Sequence, residues 1–143
     1  MKRTTLWLLL LALCAALPAC KSVGNTSRAE MDYGHSDSFQ EAEVRSAFDA
    51  VLIKFRDFKG CILKKLWYDE SAYVSRVENY LSNGRGSVNG VKRENVIILF
   101  SDFYVDSSGG DGSFTPKTAY TNWSWILIRE GADDKWQVDD WGY

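Results

Sequence analysis

The chain has 143 residues, of which 45% are hydrophobic, 25% charged and 14% aromatic, the composition of one globular unit rich in Trp, Tyr and Phe. A formal charge of −2 gives no electrostatic case for a nucleic-acid partner, and none is expected. One histidine, His35, and three cysteines, Cys14, Cys20 and Cys61, exclude zinc fingers, disulfide scaffolds and any site that needs two imidazoles.

In chain order, residues 1–19 read as a signal peptide. Lys2 and Arg3 precede an uncharged run from Leu6 to Ala19, fourteen residues against the roughly 20 that a spanning helix needs. Leu17-Pro18-Ala19-Cys20 directly after that run resembles the lipobox of bacterial lipoproteins. The resemblance implies cleavage before Cys20 and diacylglycerol on its sulfur, which makes Cys20 the expected lipidation site. An ordinary signal peptide that happens to end near a cysteine is the alternative. Two acyl chains hold a protein on a bilayer where one is marginal, so the expected location is the extracytoplasmic face of the cell membrane. Cleavage would leave 124 residues (143 less 19) and remove two basic and no acidic side chains, taking the formal charge from −2 to −4. Attachment would then rest on lipid and not on charge. Cys61 would be left without a partner, and beside Ile62 and Leu63 it reads as a small buried hydrophobe.

Residues 20–37 are expected to be the lipidated cysteine and a flexible tether, since Lys21 to Asp37 is polar and without periodicity. The single folded domain is expected over 38–143. Ser38 with Glu41 predicts a capping box, and Val44, Phe48, Val51, Leu52, Phe55 and Phe58 step at helical spacing up to Gly60. Cys61 to Asp69 is either a strand or a helical turn. Ser71 to Leu81 predicts a second helix, closed by Asn83-Gly84, and Asn89-Gly90 predicts a turn. Glu94 to Asp106 is a long strand, apolar on both faces at first and alternating later. Ser107 to Gly112 is a hairpin loop whose spacing lacks the ligands of a calcium loop. Lys117 to Glu130 and Lys135 to Tyr143 complete at least three antiparallel strands. The expectation is an α+β fold, with N-terminal helices packed on a bent antiparallel sheet.

Trp123-Ser124-Trp125-Ile126-Leu127-Ile128-Arg129, an acidic turn, then Trp136-Gln137-Val138-Asp139-Asp140-Trp141-Gly142-Tyr143 resembles a family of uncharacterised bacterial lipoproteins, the one called domain of unknown function 4829. Cys61-Ile62-Leu63 and Leu66-Trp67-Tyr68-Asp69-Glu70 are similar to it as well. The resemblance implies a surface location and a cone-shaped layout of the cystatin-like kind shared with nuclear transport factor 2. It implies no activity and no catalytic residues.

Such a cone encloses a pocket, where small ligands usually sit. Asp102 and Tyr104, two apart on a strand, would share a face and could line it as carboxylate and phenol. The alternative is a strand end that turns polar where it leaves the core. Trp123 and Trp125 also share a face, either as a stacking surface for a ligand or as core beneath the helix. Asp139 and Asp140 are adjacent and would face opposite ways on a regular strand, so no metal is expected there. No cofactor is expected. The residue types assemble no nucleophile–base pair. They favour a non-catalytic domain that binds a small molecule or an envelope protein, over an isomerase or hydrolase built on the Asp102/Tyr104 pocket. A homodimer through the open sheet is a further alternative.

Overall fold

The computed structural model describes residues 23–143; residues 1–19, expected to be a signal peptide, and Cys20 lie outside them. The order is β1 (Glu30–Asp32), α1 (Glu41–Phe55), β2 (Cys61–Trp67), α2 (Glu70–Asn83), α3 (Gly86–Asn89), β3 (Val96–Val105), β4 (Ala119–Ile128) and β5 (Gln137–Gly142). The five strands form one sheet in sequence order, not closed into a barrel. β2 to β5 are an antiparallel meander, and β1 pairs with β2 in parallel, α1 being the crossover that a parallel pair requires.

β1 corrects the expected tether. Asn25 bridges Ile62, Leu63 donates to the Asn25 carbonyl at 2.8 Å, and Glu30 to Asp32 pairs with Lys65 to Trp67. The strand has a physical cause. Ala29, Met31 and Tyr33 alternate with Glu30 and Asp32, so the apolar side chains join the core while Lys65 reaches both acids. The sheet is therefore mixed and not purely antiparallel.

α1 forms where its apolar stripe predicts. Val44, Ala47, Phe48, Val51 and Phe55 are buried, each large side chain contributing on the order of 1.5–3 kcal/mol by leaving water. Its cap is shifted by two residues from the expected Ser38–Glu41 box: the Glu43 carboxylate accepts the Gln40 N–H at 2.7 Å. Phe39 causes the shift by burying itself against Tyr73 and Trp136 before the helix begins. After α1, Gly60 holds φ of 68° under the β3–β4 loop, where a Cβ would come within 2.6 Å of Ser108 Oγ.

Strand register assigns the two faces of the sheet. Leu63, Leu66, Ile97, Leu99, Phe103, Trp125 and Leu127 face α1, and all are buried. On the other face lie Val96, Ile98 and Phe100, then Asp102 and Tyr104. α2 crosses the first half of that face. Asp69 caps it by accepting from Ala72 N–H, Arg76 stacks over the Phe100 ring, and Tyr80 reaches Asp139 in β5. The helices therefore lie on opposite faces, which explains why the first half of β3 is apolar on both. Register shifts at Leu63/Lys65, at Ser101/Phe103 and at Ile126/Leu127 bend the sheet, and Asn122 takes φ of 56° at the second.

Candidate functional site

The space between α1 and the sheet, where a pocket was expected, is filled. Phe55 packs edge-on to Phe103 and Trp125, and Phe58 lies 5.0 Å from the Trp125 ring. Trp125 is completely buried and its indole N–H donates to Ser101 Oγ at 2.8 Å. Trp123 shares that face but is half-buried among Phe103, Phe114, Tyr120 and Tyr143. Its Nε1 is enclosed and has no hydrogen-bond partner among the described residues.

Asp102 and Tyr104 share a face as expected, but it is the face away from α1, beyond the reach of α2. Asp102 Oδ1 accepts the Asn122 N–H at 3.0 Å and so holds the β4 bulge. The structure thus separates Asp102 and Tyr104 from Trp123 and Trp125 by the thickness of the sheet. Cys61 is buried on the α1 face, where burial and then Asp106 and Asp111 push its thiol up to about 11, far from a thiolate nucleophile. Asp139 and Asp140 diverge at the β5 irregularity: Asp139 takes the Tyr80 hydroxyl at 2.7 Å and Arg85 at 3.2 Å, while Asp140 accepts the Trp141 N–H. Burial first, then Asp139, pushes the Tyr80 phenol up to about 12. No group of three or more acidic, His or Cys side chains is placed to hold a metal ion among the described residues.

An opening lies at the end of the sheet where β3 begins and β4 ends. It is a groove of about 820 Å³ between the 89–95 segment and the β4–β5 turn, lined by Lys92, Glu94, Asn95, Arg129, Lys135 and Gln137 among others. Its floor is rigid. The Arg129 guanidinium is buried and pairs with Glu43 at 2.7 Å. It also donates to Asn95 Oδ1 and to the carbonyls of Ala132 and Glu94, and lies 4.2 Å over the Trp136 ring. Trp136 in turn donates to the Glu43 carbonyl at 3.1 Å. Burial alone would raise the Glu43 pKa, but the Gln40 N–H and Arg129 outweigh it and hold the carboxyl below its usual 4.5.

Beside it, at the same end, Glu70 gathers four donors: the hydroxyls of Ser36, Ser38 and Tyr68 and the Asp37 N–H. These donors overcome burial and lower its pKa, while burial and Glu70 raise that of Tyr68. A smaller cleft of about 300 Å³ opens alongside, over Tyr33, His35 and Phe39. Sequence reasoning missed the groove because it forms between segments far apart in the chain, Asn89 to Asn95 and Ile128 to Gln137, over an arginine held by Glu43. The one local signal was an arginine closing the apolar run Trp125 to Ile128. Comparison with protein-family models, with curated proteins and with solved structures finds no match for this chain.

Proposed function

We propose that the chain is a lipoprotein held on the extracytoplasmic face of a bacterial membrane through Cys20, and that its domain binds a polar ligand or an envelope protein without acting on it chemically. The observation that carries the binding reading is the groove: polar side chains and both signs of charge surround a floor already fixed by the Glu43–Arg129 pair, so little order has to be created on binding. The three irregularities that bend the sheet around α1 support the cone-shaped, cystatin-like layout and, with the quoted tryptophan-rich ending, kinship with the uncharacterised lipoprotein family. The membrane reading draws on the Leu17-Pro18-Ala19-Cys20 motif. Among the described residues no helix is long and apolar enough to cross a membrane.

Two measurements test this. Growth with an alkyne-tagged palmitate should label the full chain, and Cys20→Ala should abolish the label; equal labelling of both contradicts the anchor. Native mass spectrometry of the purified full chain, followed by fluorescence titration against metabolites and muropeptides, should find a ligand. Trp136 beneath Arg129 is the reporter. Gln137→Ala and Lys92→Ala should weaken the response about tenfold. A ligand whose affinity neither substitution changes contradicts the groove as its site.

A further inference from the structure

The described chain enters the domain at a definite place. Gly24 donates to the Arg56 carbonyl at 3.0 Å, and a Cβ there would come within 1.9 Å of the Phe55 carbonyl oxygen, so the backbone is pressed against the last turn of α1. Four residue steps separate Cys20 from Gly24, which covalent geometry limits to roughly 14 Å. Any anchor at Cys20 must therefore bring the C-terminal end of α1 close to the bilayer.

That end is built unlike the rest of the surface. It collects the close of α1, the β3–β4 loop and the end of β5, and it carries Ile53, Trp141 and Tyr143, three of the six large apolar side chains exposed among the described residues. Ile53 is 71% exposed, Tyr143 78% and Trp141 42%. Trp141 packs on buried Phe58, with Lys54 4.8 Å over its ring, and Tyr143 packs on Trp123. Arg56, Lys59 and Lys117 are exposed in the same segments, along with the acidic Asp57 and Asp111. The opposite end carries charges of both signs and, among the described residues, no exposed aromatic cluster, with Glu130, Asp133, Asp134, Lys92 and Lys135 exposed around the groove. Tryptophan and tyrosine backed by lysine and arginine suit the headgroup layer of a phospholipid bilayer, which accepts an apolar ring and a polar tip together.

We propose that this aromatic end lies on the phospholipid surface, with Trp141, Tyr143 and Ile53 in the headgroup layer, and that the groove is thereby held facing away from the membrane. The proposal rests on the anchor at Cys20 but is separable from it. Docking fixes the orientation of the domain, which lipidation on a long leash would leave free. It also accounts for the exposure of Ile53, Trp141 and Tyr143.

The test reconstitutes the full chain into vesicles of phosphatidylcholine and phosphatidylglycerol, three to one, with brominated acyl chains that quench nearby indoles. Quenching is expected, and Trp141→Phe should reduce it at least twofold. Trp67→Phe, at the far end of β2, should leave it unchanged. Tyr143→Ser and Ile53→Ser, exposed positions whose change does not threaten the fold, should each raise the acrylamide accessibility of Trp141 in vesicles. Palmitate labelling with equal quenching in Trp141→Phe and the parent overturns the proposal and leaves the anchor standing. Failure to associate with vesicles overturns it too. A detergent-solubilised dimer that Tyr143→Ser dissociates, without lipid quenching, would assign the face to a second copy and overturn it.

Discussion

The two ends of the sheet are held together by different physics. At the end where α1 closes, Phe55, Phe58, Phe103, Phe114, Trp123 and Trp125 interlock, and the stabilisation comes from dispersion and lost hydration. At the groove end the same sheet is tied by carboxylates, Glu43 to Arg129 and Glu70 to its four donors. The first arrangement is sensitive to volume and indifferent to pH. The second tolerates changes of volume but depends on ionisation. A binding surface gains from the second, because charges fixed in advance present a defined pattern to a polar partner.

The contrast can be broken or sharpened by substitution. The largest effect belongs to the interior of the aromatic end: Trp125→Ala removes a fully buried ring and should cost about 3–5 kcal/mol, read from urea unfolding at neutral pH. Equal stability of this variant and the parent would show that the cluster does not hold the fold. At the groove end, Arg129→Met should cost about 3 kcal/mol, because Glu43 and the carbonyls of Glu94 and Ala132 lose their donor in a mostly buried site.

Acid provides the next test. Glu43 and Glu70 have folded-state pKa values below the 4.5 of the unfolded chain, so the native state favours the carboxylates. Their contribution is present above pH 4.5 and is lost as pH falls below it through the folded values. Unfolding midpoints measured from pH 7 to pH 3 should fall in that window, and Glu43→Gln with Glu70→Gln should flatten the decline. A decline unchanged in the double variant would place the acid sensitivity elsewhere. Tyr80→Phe removes one hydroxyl from Asp139 and should cost about 1 kcal/mol. The smallest effect is expected at the open half of the sheet, where Tyr104→Phe should stay within about 0.5 kcal/mol.

These differences also explain what could be read in advance. The α1 stripe, the two-faced apolar run of β3 and the turns at Gly60 and Asn89-Gly90 are local patterns, and local patterns survive folding. The alternation of Ala29, Met31 and Tyr33 was equally local, but three paired residues in a polar stretch are too short to stand out from a tether. The cap of α1 moved because Phe39 and Trp136, nearly a hundred residues apart, required burial together. The floor of the groove and the opposite faces taken by Asp102 and Trp125 follow from strand register, which no stretch of sequence displays alone. The exposure of Trp141 and Tyr143 was hidden for a related reason: in a chain this aromatic, a ring on the rim has the same sequence signature as a ring in the core.

The most direct measurement of the roles assigned to the two ends is hydrogen exchange on the full chain anchored in phospholipid vesicles, against the same chain in detergent diluted to near its critical concentration. Slower exchange in vesicles is expected over residues 53–59 and 139–143, with 89–95 and 130–137 unchanged and open to a ligand. Protection of 89–95 and 130–137 by the bilayer, with 53–59 unaffected, would put the groove against the membrane and contradict the assignment.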